Sequence, residues 1–159
     1  MKEIRFVVVG AGLMGRQFAS AAARWLHLGG EIARPVVAAV ASRTRESCEW
    51  FERNVPGVAF VTTDYRDVLK RDDVDAVYAA VPHKLLERVY IDTIEAGKHL
   101  FGEKPFGIDR AANARILDAA RKRPDRLVRC VSQFPFFPGA WRIVRALESE
   151  DFGRILEVD

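Results

Sequence analysis

Hydrophobic positions along this chain fall into two alternating patterns. Short, unbroken apolar and β-branched runs read as strands buried on both faces, and longer stretches with apolar residues three and four apart read as helices packed on one side. The first run is Ile4–Val9, apolar after Arg5. An Ala-rich helix follows from Leu13 to Leu28, with Phe18, Ala22 and Trp25 on one face and Gly29-Gly30 as its stop. Pro35–Ala41 is the second strand; Thr44 caps a helix reaching Asn54, and Pro56-Gly57 marks a turn. Val58–Val61 is a short third strand and Asp64–Arg71 a short helix. Val74–Val81 is the fourth strand, ended by Pro82, and a helix over His83–Glu95 is closed by Gly97. Lys98–Phe101 is the fifth strand, Asp109 caps a helix through Arg123, and Leu127–Val131 is the sixth strand. Gly139–Glu148 is a last helix, and Gly153 precedes a seventh strand over Arg154–Val158.

Strands that alternate with helices imply β-α-β units with right-handed crossovers, hence the α/β class and a doubly wound parallel sheet. Phe134-Pro135-Phe136-Phe137-Pro138 breaks the alternation and reads as a domain junction. The seventh strand has nothing after it to pair with, and a lone strand at a terminus is an unpaired edge. The expected division is therefore a dinucleotide-binding domain over 1–132, then a junction and the first elements of a second, α+β domain over 133–159, truncated there. Phe134, Phe136, Phe137, Trp141, Ile155 and Leu156 are expected to lie against that second domain.

Composition narrows the classes. With 49% hydrophobic and 30% charged residues the 159-residue chain is an ordinary soluble globular sequence, and a net charge of +3 scattered over helix faces gives no nucleic-acid patch. No apolar run approaches the ~20 residues of a membrane span. Met1-Lys2-Glu3 leads straight into a core strand, without a targeting signal. Two cysteines, Cys48 and Cys130, make no disulfide framework; buried free thiols and a cytoplasmic location are expected. No metal site is expected.

The candidate chemistry lies at the strand ends. Gly10-Ala11-Gly12-Leu13-Met14-Gly15 joins the first strand to the first helix. Gly10 permits the tight turn, Gly12 lets the backbone approach a pyrophosphate, and Gly15 lets the helix pack close to the sheet. The helix start at Leu13 and Met14 offers free N–H groups and a positive dipole to phosphates. The second strand ends in Ser42-Arg43-Thr44-Arg45, where a domain selective for NAD usually carries an acid for the ribose 2′-OH. A hydroxyl and a guanidinium suit a 2′-phosphate instead, so the expected cofactor is NADP, with NAD the alternative; Arg43 is the expected ligand, stacked over the adenine. Pro82 stops the fourth strand and sets His83 at a helix start near the nicotinamide half of the cleft. Glu103-Lys104-Pro105 follows the fifth strand. The Lys104 amine is suited to bond a substrate hydroxyl and lower its pKa as hydride leaves, with Glu103 orienting it and itself counted among the residues that touch the cofactor. Alone, the triplet is no more than a strand-end ion pair.

It does not stand alone. Together with the glycine turn, Thr63-Asp64-Tyr65-Arg66-Asp67-Val68-Leu69, Val81-Pro82-His83, Ile94-Glu95-Ala96-Gly97-Lys98-His99-Leu100-Phe101-Gly102-Glu103-Lys104-Pro105 and Phe152-Gly153-Arg154-Ile155, the sequence resembles the glucose–fructose oxidoreductase, inositol dehydrogenase and MocA-type family over nearly its whole length. The resemblance implies the Rossmann-fold cofactor domain of an NAD(P)-dependent oxidoreductase acting on sugars, polyols or related carbonyl compounds, with Lys104 catalytic, Glu103 beside it and His83 by the nicotinamide. It implies a small-molecule substrate and a homo-oligomer, with most of the substrate pocket in a second domain. The alternative is a module that holds NADP without catalysis.

Overall fold

The computed structural model describes residues 2–27, 29–30, 33–149, 153–154 and 157. In chain order the elements are β1 (Glu3–Val9), α1 (Leu13–Ala23), β2 (Arg34–Ala41), α2 (Arg45–Asn54), β3 (Phe60–Thr62), α3 (Tyr65–Leu69), β4 (Ala76–Ala79), α4 (His83–Glu95), β5 (His99–Gly102), α5 (Arg110–Arg121), β6 (Val128–Cys130) and α6 (Pro138–Glu148). The strands form one parallel sheet in the order β3-β2-β1-β4-β5-β6. This is the doubly wound dinucleotide order, in which the succession of strands switches from one side of β1 to the other at β4.

Alternation along β1 shows why both faces are covered. Val7 and Val9 pack with Val77, Leu86, Tyr90 and Ile116, while Val8, between them, packs with Val40, Phe51 and Tyr78. Period two sends successive side chains to opposite sides, and a strand buried on both must be apolar throughout. Helix α4 docks through Leu86, Val89, Tyr90 and Ile94, all buried at spacings of three and four. Each such side chain contributes about 1.5–3 kcal/mol through its burial. Thr44, Asp64 and Asp109 cap α2, α3 and α5 by accepting from backbone N–H groups of the first turns.

The structure departs from the sequence expectations in several places. The first helix does not run to Leu28. It ends at Ala23, where Arg24 (φ −88°, ψ 13°) shares its N–H between the Ala21 and Ala22 carbonyls, and the chain tightens into a 3₁₀ turn over Trp25–His27. The third strand lies over Phe60–Thr62, because its pairing partners are Ala39–Ala41. The fourth strand is confined to Ala76–Ala79. Cys48 is buried as expected, but Cys130 is exposed: β6 is the sheet edge, with β5 on one side only. Of the seventh strand, Ile155, Leu156 and Val158 lie outside the described residues. Phe134, Phe136, Phe137 and Trp141, assigned to a domain junction, are all exposed, together with Ile143 and Val144 of α6.

Candidate active site

Ligands of open α/β sheets bind beyond the carboxyl ends of the strands, at the switch point. The β1–α1 turn stands there. Gly10 adopts φ +109°, which side-chain-bearing residues rarely do, and its N–H donates to the Ala41 carbonyl at 2.8 Å. A Cβ on Gly10 would lie 2.2 Å from the Ala80 carbonyl oxygen, so the turn sits directly against the end of β4. A Cβ on Gly15 would lie 2.2 Å from the Gly10 carbonyl oxygen and 3.0 Å from Val8 Cγ1, so its absence sets how closely α1 approaches β1. A Cβ on Gly12 would meet nothing within 4 Å. That open side faces away from the protein, at the start of α1, whose first turn has neither a side-chain cap nor an acid. Unsatisfied N–H groups, a positive helix end and a bare backbone fit a pyrophosphate. Leu13 and Met14 are exposed beside it.

One strand over, at the end of β2, the Ser42 N–H is tied to the Thr62 carbonyl at 3.2 Å. The two arginines that follow are in different situations. Arg45 holds Glu52 through both guanidinium nitrogens, and this contact raises its pKa and lowers that of Glu52. Arg43 is exposed and, among the described residues, enters no ion pair or side-chain hydrogen bond. On the other side of the switch point, Pro82 precedes α4 in an extended conformation, and His83 is the exposed first residue of that helix.

The β5 end is built differently. Glu103 N–H continues the ladder to the Ala79 carbonyl at 3.0 Å. Its side chain turns inward and is 7% exposed. Tyr78 Oη donates to Glu103 Oε1 at 2.6 Å, and the Lys104 N–H donates to Oε2 at 3.3 Å. Tyr90 Oη donates to the Glu103 carbonyl oxygen at 2.5 Å. Burial first, and then the bond to Glu103, hold the Tyr78 phenol far above the usual tyrosine range; burial does the same for Tyr90. Both therefore remain donors throughout the working pH range. Lys104 is exposed, and the Lys104–Pro105 peptide is cis.

The fold thus gathers Gly10, Gly12, Gly15, Pro82, His83, Glu103 and Lys104 around the ends of β1, β4 and β5, and carries Ser42 and Arg43 on the end of β2. The glutamate expected to touch the cofactor has both carboxylate oxygens engaged by the protein. Tyr78 and Tyr90 were not singled out from sequence; a phenol inside an aliphatic strand, as Tyr78 is within Ala76–Ala79, signals a partner, since a buried hydroxyl requires one. A groove of about 180 Å³ between α1 and the start of β2, lined by Ala19, Ala22, Trp25, Arg34, Pro35 and Val55, lies at the amino-terminal end of β2, away from the strand ends described above, and is not this site. Among the described residues no cluster of three or more His, Cys, Asp or Glu is arranged for a metal, and no helix is long and apolar enough to cross a membrane.

Fold, glycine turn and lysine-bearing strand end define a dinucleotide-binding domain of the oxidoreductase kind. Residues 4–129 match the oxidoreductase family with an NAD-binding Rossmann fold, and the chain belongs to this family of glucose–fructose oxidoreductase, inositol dehydrogenase and MocA-type proteins. Inositol 2-dehydrogenase 4 of Saccharopolyspora erythraea is 31% identical over 155 residues, which cover 98% of this chain and 44% of that protein. A 3-ketoreductase from Actinomadura kijaniata, solved with NADP and TDP-benzene, superposes with a TM-score of 0.76 at 29% identity over 92% of this chain and 42% of its own. Scyllo-inositol dehydrogenase from Lactobacillus casei, solved with NAD(H) and scyllo-inositol, gives a TM-score of 0.81 at 23% identity over 96% of this chain and 43% of its own, a likeness of fold. The chain thus spans under half the length of each of these three relatives.

Proposed function

We propose that this chain is the cofactor half of an NAD(P)-dependent oxidoreductase of sugars, polyols or related carbonyl compounds, that it prefers NADP, and that Lys104 is its catalytic residue. The reading rests on one shared strand end: the glycine turn lies against Ala80 and Glu103 is bonded to Ala79, so the backbone assigned to the phosphates and the Lys104 segment meet at the end of β4. The first-turn N–H groups of α1 hold the pyrophosphate, with Gly10, Gly12, Leu13, Met14 and Gly15 supplying backbone rather than side chains. Ser42 and Arg43 hold the adenine ribose and its 2′-phosphate. Pro82 and His83 border the nicotinamide, which when bound accepts or delivers hydride. The Lys104 ammonium donates a hydrogen bond to the substrate oxygen and lowers the pKa of that hydroxyl, whose proton passes to water as the carbon gives up its hydride to the bound cofactor. Glu103 serves the cofactor through the backbone it holds. Residues 133–159 lead into a second domain that closes the substrate pocket, which accords with the exposed Phe136 and Trp141.

Replacing Lys104 by Met in the complete polypeptide, assayed with inositol and a panel of sugars, is expected to cut kcat about 10²–10⁴-fold while cofactor affinity stays within about threefold. Unchanged turnover would remove Lys104 from the reaction. Failure of the chain to quench or shift NADPH and NADH fluorescence would remove the cofactor reading altogether.

A further inference from the structure

The two phenols that meet on Glu103 reach it from opposite faces of the sheet. Tyr78 belongs to the apolar layer shared with α1 and α2, and Tyr90 stands on α4 in the layer on the other side. One grips the carboxylate and the other the main-chain carbonyl of the same residue. Packing does not require either hydroxyl. The Tyr78 ring stacks on Phe18 with centroids 4.2 Å apart, and the Tyr90 ring lies 5.4 Å from Phe106. Phenylalanine would keep both contacts without burying a polar atom. The strand has also given way to Tyr90: a Cβ on Gly102 would lie 2.4 Å from Tyr90 Cζ, so only glycine lets that phenol pass under β5. Tyr78 Oη further lies 3.5 Å from the carbonyl oxygen of Met14, in the first turn of α1. The hydroxyl that holds Glu103 thus also borders the turn assigned to the pyrophosphate.

Resting on the reading of Lys104 given above, we infer that Tyr78 and Tyr90 are positioning residues: a two-sided clamp on Glu103 that fixes where the next residue, Lys104, stands at the nicotinamide end. Neither phenol touches substrate or cofactor. Each acts through Glu103, Tyr78 on its carboxylate and Tyr90 on its carbonyl.

The test uses Tyr78→Phe, Tyr90→Phe, Lys104→Met and the pairwise combinations in this chain. Binding of 2′,5′-ADP, which lacks the nicotinamide half, reports on folding and on the adenine side. The emission maximum and lifetime of bound NADPH report on the nicotinamide side. Each phenol-to-phenylalanine change is expected to leave 2′,5′-ADP affinity within about twofold, and to alter the bound NADPH emission in the direction that Lys104→Met does. Added to Lys104→Met it should produce no further change, because residues acting as one unit are not additive. Emission unaltered by both phenylalanine variants but altered by Lys104→Met overturns the clamp. Additive effects overturn it too, since the hydroxyls would then act independently of Lys104. Emission indifferent to Lys104→Met itself overturns the assignment of Lys104 and, with it, the purpose of the clamp. Absence of NADPH binding by the parent chain overturns the proposed function instead.

Discussion

Replacing Arg43 by Ala isolates the group that should choose the cofactor. The side chain is exposed and spends its charge on no partner among the described residues, so removing it disturbs neither core nor ion pair. A hydrogen bond to a charged group contributes about 1.5–3 kcal/mol net, and exposure at a strand end puts this one near the lower value. At 1.4 kcal/mol per decade, NADP(H) should bind about tenfold more weakly, whereas NAD(H), which lacks the 2′-phosphate, should change less than about twofold. The control is Arg45→Ala. Its guanidinium is held by Glu52 through two nitrogens, so its loss should leave the preference intact. Calorimetric titration of both cofactors at low and moderate ionic strength reads the effect directly. Because the Debye length is about 10 Å at 0.1 M salt, the parent's preference should shrink as salt rises, and that of Arg43→Ala should not. Equal affinities of the parent for NADPH and NADH would refute the reasoning at its base. A loss of preference as large in Arg45→Ala as in Arg43→Ala would refute the assignment between the two arginines.

Gly15→Ala places a methyl 2.2 Å from the Gly10 carbonyl oxygen, so α1 must lift from β1; a loss of about 1–3 kcal/mol in urea unfolding is expected, with weaker binding of both dinucleotides. The Arg71 guanidinium, helped by Arg5, holds the Asp73 carboxyl below the usual carboxylate range. A carboxylate lowered in the folded state adds stability above its unfolded pKa and loses it as pH falls through the folded one. Asp73→Asn should therefore flatten the decline in stability below about pH 4, the region of an ordinary aspartate, and an unaltered acid limb in thermal melts would contradict this. Thiol labelling of the native chain should reach exposed Cys130 and spare Cys48 until the fold opens; equal rates for the two would contradict their placement. The isolated chain should self-associate through Phe134, Phe136, Trp141 and Ile143, and sedimentation showing Phe136→Ser no less associated than the parent would count against that surface.

The strand ends assigned to the candidate site were legible because their signals are local. Three glycines at fixed offsets after a β-branched run state a turn, a close approach and a packed helix within six residues. Ser42-Arg43 in place of an acid is equally local, and so is the six-strand alternation. What stayed hidden depends on partners far along the chain. Tyr78 meets Glu103 across 25 residues and Tyr90 meets it across 13, and nothing in either tyrosine's neighbours says which carboxylate or carbonyl it will find. Cys130 was misjudged because an apolar run does not show whether its strand is central or at an edge; that is set by the order of the whole sheet. The break after Ala23 was invisible for a related reason. Arg24 is a good helix former, and the helix ends there although no glycine or proline stands at that point.

The two halves of the proposed site pose different physical problems, and the buried polar groups are distributed accordingly. Holding phosphates needs charge and donors that face water, and it tolerates small displacements because long-range attraction and several N–H groups share the work. In the proposed function, backbone at Gly12 and the exposed Arg43 guanidinium meet that need without drawing on the core. Moving a hydride beside a proton is less forgiving, since reacting groups must stand within a few tenths of an ångström of a productive geometry. An exposed lysine on a flexible stem does not meet that requirement by itself. On the proposed reading, Lys104 is positioned by the residue before it, a nearly buried carboxylate whose oxygens and carbonyl are all engaged, two of those contacts coming from phenols anchored in opposite layers. Burying those polar atoms lowers the stability a purely apolar core would have. The penalty falls on one peptide, at the point where position matters more than strength.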